Sequence, residues 1–273
     1  MRPEHTAAVR PHWPRHPASN APPGVGLAVA LTMLAAWTLN LASLLGTPPD
    51  KLGAWVLLAF PLQVFLSTGL FITAHDAIHR TVSRSAWVNT VIGWICTLSF
   101  AMFSFRHLRT AHHQHHAHPG TPLDPDHHDG ERRDPISWFK TFMGRYLTIW
   151  HFVLWIPATW LVLYLALEVH PINLLLFWPT PALLSAVQLF VFGTWLPHRE
   201  PAGGHTNPHR AQSLPLGEGL SLLTCFHFGY HVEHHEHPSV PWWRLPLTRD
   251  SNRQLTEEEQ QVADHAAQWL SGG

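Results

Sequence analysis

The chain has 273 residues and a formal net charge of −1, and only 13% of its residues are charged against 46% hydrophobic. A soluble domain carries about a quarter charged residues, and without a basic excess a nucleic-acid partner is not expected. Cys96 and Cys225 are the only two cysteines; in their apolar surroundings they read as free thiols, not a disulfide framework.

In chain order, a polar, proline-rich tail is expected over 1–24, a membrane domain over 25–249 and a second polar tail over 250–273. Val25–Thr47, Leu52–Ala74, Tyr146–Leu167 and Pro171–Thr194 are uncharged and reach the length of about 20 residues that a bilayer crossing needs. The first is too long, and what precedes it too extended, for a cleaved signal peptide, so it is expected to stay as an anchor. Ala86–Phe105 is a fifth uncharged stretch.

Sixteen of the seventeen Lys and Arg residues fall within 1–24, 75–145 or 195–273; the exception is Lys51. Positive residues mark the cytoplasmic side. Both termini and the 75–145 segment are therefore expected there, with the spans arranged as two hairpins. A straight fifth crossing at Ala86–Phe105 would put the histidines near 75 and 112 on opposite faces, so that stretch is expected to be an interfacial or re-entrant helix pair. The expected fold is an all-α integral membrane protein. It has four transmembrane helices in two hairpins, the re-entrant segment, and a cytoplasmic cap carrying a two-metal site.

The 24 histidines are the outlier of the composition. His75 and His79 form HxxxH at the end of the second span; residues four apart share a helix face. His112, His115 and His116 form HxxHH, and His231, His234 and His235 repeat it. His198 closes the fourth span and offers a ninth imidazole. His113 points about 100° away from His112 on a helix, and His107, His118 and His237 fit no repeat. HExxH is absent. A closed structural zinc site takes four ligands, often cysteines, so nine imidazoles are too many for one ion. Two metals fit the count best, and iron is preferred because two redox-active ions can share the electrons that reduce O₂. A site at the cytoplasmic end of an apolar bundle suits a lipid-soluble substrate entering from the bilayer.

The three boxes resemble those of the membrane fatty-acid desaturase and hydroxylase superfamily. Within it, GLFITAHDAIH (69–79), HPGTPLDPD (118–126), QLFVFGTWLPHR (188–199) and SLLTCFHFGYHVEHHEHPSVPWWRLP (221–246) are similar to the bacterial β-carotene ketolases. The resemblance runs from about residue 25 to 249. It implies two iron ions held by the three boxes, and by His198, with O₂ as co-substrate. It also implies a carotenoid from the bilayer, an external electron donor such as ferredoxin, and the bacterial inner membrane. Asp76, Asp124 and Asp126 sit in family-like motifs and are candidates to accept N–H bonds from ligand imidazoles, with His227 beside them; the alternative for Asp124 and Asp126 is turn capping. Phe228, Trp242 and Trp243 are candidates to line the ring pocket, the tryptophans equally for interfacial anchoring. Arg80 departs from the glycine expected after the second histidine of the first box.

The implied reaction is two successive hydroxylations at C4 of a β-ionone ring, the geminal diol then losing water to give the ketone. β-Carotene would pass through echinenone to canthaxanthin, with zeaxanthin to astaxanthin as an extension. The same boxes would serve a carotenoid 3-hydroxylase or a fatty-acyl desaturase. A metal transporter is the non-enzyme reading, but transporters place ionisable groups at mid-depth, whereas here they lie at span ends.

Overall fold

The computed structural model describes residues 17–128, 130, 133–147, 153 and 156–249, and these contain helices and no strand. The whole of the expected C-terminal tail and residues 1–16 of the N-terminal one lie outside the described residues. Ala18 is buried with Tyr230, Val240 and Leu245, so the end of the first tail packs on the cap.

Helices α1 (Val25–Gly46) and α2 (Val56–His79) form the first hairpin. At about 1.5 Å per residue both exceed the roughly 30 Å hydrocarbon core. Their few polar groups find one another across the interface, as they must where water is absent: Trp37 donates to the Ser67 hydroxyl at 3.1 Å, and Asn40 donates to Gln63 at 2.7 Å and to the Ala59 carbonyl at 2.9 Å. The second span runs on to His79 instead of stopping at Ala74, because nothing in Ala74–His79 breaks a helix. HxxxH therefore forms its last turn.

Arg80 ends α2 in the left-handed region, at φ 61°. That is the conformation glycine adopts most readily at a helix C-terminus, which explains why glycine is expected here.

The Ala86–Phe105 stretch contains α3 (Ala86–Ala101), which returns along α2. It is followed at once by α4 (Phe105–Ala117), bent from it by 101°. Met102 closes α3 at φ 60°, and Ser104 caps α4 by accepting the His107 N–H at 3.3 Å. The sharp reversal returns HxxHH to the end of α2. It depends on Gly93, where a Cβ would fall 2.2 Å from the buried Phe105 ring.

Helix α5 (Pro135–Tyr146) is capped by Asp134 and carries Trp138, Phe142 and Tyr146 four residues apart. The expected third span is corrected at its start: Tyr146 ends α5, which the reversal in hydropathy after Arg145 concealed. Of Tyr146–Leu167 only α6 (Ile156–Leu167), 12 residues long, is described as a regular apolar helix; residues 148–152 and 154–155 lie outside the described residues.

The fourth span is longer than expected. It comprises α7 (Pro171–Phe177), α8 (Pro179–Leu189), a π-helical segment Phe190–Trp195 and α9 (Leu196–His198), together the 28-residue run Pro171–His198. His198 therefore lies on its final turn. Asn173 ties this run to the end of α1, donating to the Leu44 and Thr47 carbonyls at 3.2 and 2.7 Å. Thr68 joins it to α2 through Ser185 at 2.9 Å.

Among the described residues, three helices are thus long and apolar enough to cross a membrane, with the bent α3–α4 pair as a fourth candidate. The cap holds α10 (Glu218–Cys225) and α11 (His231–Glu236). Cys96 and Cys225 are buried free thiols.

Gly93→Val should cost about 1–3 kcal/mol by overpacking and lower the thermal midpoint of the detergent-solubilised protein. Adding Phe105→Ala should recover part of the loss. A single variant as stable as the parent would show that the α3–α4 contact does not hold the reversal.

Candidate metal centre

Each histidine group lies where a helix ends, so its imidazoles project past the last turn or from a short cap helix. Two left-handed residues, Phe226 (φ 50°) and His227 (φ 61°), reverse the chain from α10 into α11. They aim His231, His234 and His235 at the ends of α2, α4 and α9.

The nine imidazoles of the boxes and His198 fall into two groups. His75, His79, His112, His116 and His234 form one, and His115, His198, His231 and His235 the other; within each, the candidate ligand atoms lie within 4.8 Å of one another. In the first group the Nε2 atoms approach at 2.7 Å (His79–His112), 3.0 Å (His112–His116 and His116–His234) and 3.1 Å (His75–His234). In the second they approach at 2.8 Å (His198–His231), 3.1 Å (His115–His235) and 3.2 Å (His231–His235). HxxHH splits between the groups: His112 and His116 go to one and His115 to the other, while His234 and His235 separate likewise. Adjacent boxes thus bridge the two centres.

Burial, and then neighbouring imidazoles, hold His231, His234 and His235 well below the usual histidine range. His198 and His231 both donate from Nδ1, so their neutral Nε2 atoms set lone pair against lone pair at 2.8 Å, a contact that a bound cation would relieve. Metal–imidazole bonds of about 2.0–2.1 Å place neighbouring nitrogens around one ion at separations of this size. The donor set therefore fits two metal ions, one per group.

Three of the far ring nitrogens are oriented in the way that leaves Nε2 to a metal, whereas the buried Nδ1 atoms of His75, His116 and His235 have no hydrogen-bond partner. His115 Nδ1 donates to both oxygens of Asp124 at 2.9 and 3.0 Å, His198 Nδ1 to the Arg210 carbonyl at 2.9 Å, and His231 Nδ1 to the Phe228 carbonyl at 3.3 Å. Asp124 also accepts the Gly120 and Asp126 backbone N–H groups at 2.8 Å. Burial opposes its ionisation, but His115 and those N–H groups outweigh it, and its pKa lies below the usual value.

The other residues singled out in the sequence divide. Asp76 stands 3.7 Å from His75 Nδ1 and accepts the Trp242 backbone N–H at 3.3 Å. Asp126 accepts the Tyr146 hydroxyl, and burial pushes it up to about 6. His227 belongs to neither imidazole group; its ring stacks on Tyr230 and Trp242, and burial lowers it to about 4.

Phe228 packs its ring 4.7 Å from His75 and touches the π-helical segment at Gly193, where a Cβ would lie 2.5 Å away. It lines a cavity of about 50 Å³ that opens onto His75, His112, His115 and His231. Trp242 and Trp243 are not in that wall; Trp242 packs on Phe226. Phe142 and Tyr146 are, and the four-residue spacing of Trp138, Phe142 and Tyr146 is the sequence signal that would have found them. A larger apolar space of about 210 Å³ shares Phe100, Phe103, Met143 and Ala186 with the first and reaches α6 at Ile156 and Trp160.

Purified protein should contain two metal ions per chain by elemental analysis. His198→Ala should lose one of them, and Asp124→Asn should weaken retention against a chelator by about 10–100-fold. Full metal content in both variants would dismiss the second group.

Comparisons with known proteins identify the family. The family model described as Fatty acid desaturase matches residues 49–266. A β-carotene ketolase of a Paracoccus species is 45% identical over 187 residues, 68% of this chain and 75% of that protein. β-Carotene 4-ketolase 3 of Haematococcus lacustris is 36% identical over 282 residues, 91% of this chain and 86% of that protein. Zeaxanthin 4-ketolase of Chlamydomonas reinhardtii is 36% identical over 266 residues, 92% of this chain and 58% of that protein. Helices made for a membrane, two clusters of imidazoles and these similarities lead to one assignment: the chain is a membrane oxidoreductase belonging to the fatty acid desaturase family, among its β-carotene ketolases.

Proposed function

We propose that this chain oxidises the C4 methylene of carotenoid β-ionone rings to a ketone, in two successive O₂-dependent hydroxylations. The observation that carries the reading is the convergence of imidazoles from four separate segments on the inner end of an apolar cavity. The ketolase names of relatives matching most of the chain supply the substrate class.

In this reading the fold crosses the bacterial inner membrane four times, as α1–α2 and as α6 with Pro171–His198. The α3–α4 pair is re-entrant, and the termini and the metal site face the cytoplasm. His75, His79, His112, His116 and His234 hold one iron, and His115, His198, His231 and His235 the other. The iron pair, when bound, supplies the redox chemistry that activates O₂ against an allylic C–H bond. Electrons come from an external one-electron donor, with ferredoxin the expected one.

The protein's own residues do the rest. Asp124 orients His115. Phe228, Phe71 and Phe103 close water out of the ring site. The apolar space beside α6 gives a lipid-soluble ring a route from the bilayer. The inner cavity is smaller than a methylated ring, so entry requires side chains to move; Met143, at the junction of the two spaces, is unbranched and adaptable.

Membranes containing the protein, given β-carotene, O₂ and a reduced ferredoxin system, should yield products with conjugated carbonyls and red-shifted absorption. His234→Ala should abolish them while the protein still inserts. Formation of 3-hydroxylated rings or desaturated acyl chains in their place would overturn the assignment.

A further inference from the structure

The cavity next to the imidazoles is walled mainly by Phe71, Phe100, Phe103, Phe142, Met143 and Leu189. That surface suits a hydrocarbon ring. Yet Asp126 and Tyr146 stand in the same wall, and apart from Thr194 and the imidazoles they are its only polar side chains. They are joined by a hydrogen bond from the Tyr146 hydroxyl to the Asp126 carboxylate.

The pair is firmly built. Trp138 donates to the Asp126 carbonyl at 2.8 Å, the Asp126 N–H donates to Asp124 at 2.8 Å, and Arg145 donates to the carbonyls of Pro125 and His127 at 2.5 and 2.6 Å. Tyr146 also lines a polar pocket on the other side, with His107, Thr110, Gln114, Asp124 and Arg145. It is therefore part of the partition between the apolar cavity and the water-facing surface. The pair satisfies its own burial by this hydrogen bond, yet the phenol oxygen and the carboxylate keep acceptor capacity beside the cavity, and an unsubstituted β-ionone ring has no donor to fill it.

We propose that Asp126 and Tyr146 form the subsite for the hydroxyl of the once-oxidised ring, holding the alcohol for its second oxidation and so making the product a ketone. The proposal rests on the ketolase reading.

In the first round a C4–H bond is replaced by C4–OH: the ring methylene, O₂, two electrons from the donor and two protons give the alcohol and water. The pair has no part in binding that substrate. In the second round the alcohol, O₂, two electrons and two protons give the geminal diol and water. One C–O bond of the diol then breaks, the departing oxygen leaves as water with the proton of the remaining hydroxyl, and C=O forms without further oxidation. With its O–H turned to Asp126, the Tyr146 oxygen can accept from the ring hydroxyl, and the carboxylate offers a second acceptor. Without them the new hydroxyl would face phenylalanine rings, and the alcohol would leave before reacting again.

The test is the partition of product between 4-hydroxy and 4-keto rings, compared at the same extent of substrate conversion. Tyr146→Phe and Asp126→Asn should raise the ratio of alcohol to ketone on the order of tenfold, the effect of one lost buried hydrogen bond. An unchanged ratio at reduced turnover would make the pair purely structural and overturn the proposal. The unaltered protein gives an independent reading: at equal mole fraction in the membrane, 4-hydroxylated carotenoid should show a lower KM than β-carotene, and a higher one would overturn the proposal. An unaltered protein that forms neither 4-hydroxy nor 4-keto rings fails the ketolase reading instead, a result distinct from either outcome above.

Discussion

Nine imidazoles packed into two buried groups, with Nε2 atoms as close as 2.7 Å, form an arrangement suited to bound cations. Charged rings would repel at that spacing, and where Nδ1 already donates, as in His198 and His231, the facing Nε2 atoms set lone pair against lone pair. Burial, which holds the rings of α11 neutral, makes them good metal ligands and poor neighbours for each other. The fold around them reads as the means of bringing these groups together and keeping them dry.

Regular helices alone would not do it. The backbone departs from regularity where the groups meet: left-handed residues at Arg80, Met102, Phe226 and His227, and a π-helical segment at Phe190–Trp195 leading to His198. Such strained positions persist where surrounding structure over-determines them, and π-helical segments recur at functional sites. Here each one ends or redirects a helix so that histidines from distant parts of the chain face a common point.

The site also sits between two media. On one side the cavity continues through Phe100, Phe103 and Met143 toward α6, a surface suited to a lipid-soluble ring. On the other, Tyr146 and Asp124 border a polar pocket. A ketolase that takes an apolar ring from one side and faces water on the other needs both, separated by a wall that does not leak. The 118–146 segment supplies that wall through Asp124, Asp126, Arg145 and Tyr146, so one stretch both orients His115 and bounds the substrate space.

Much of this was legible in the chain alone. Uncharged runs marked the apolar helices because the bilayer demands length and hydropathy, which are local properties. The three histidine boxes stood out because i, i+3 and i+4 positions share a helix face, and the distribution of Lys and Arg argued against a straight crossing at Ala86–Phe105, where α3 and α4 are bent by 101°. What local pattern does not carry was decided by tertiary structure. The division of the imidazoles into a group of five and a group of four depends on how α2, α4, α9 and α11 meet. The meeting of Tyr146 with the Asp126 carboxylate, twenty residues away, depends on how α5 packs back on the chain before it. The placing of Trp242 on Phe226, outside the cavity wall, depends on how the chain folds back after α11. Ligand sets and cavity walls are properties of contacts between distant residues, and a one-dimensional pattern shows which side chains are available without showing which of them meet.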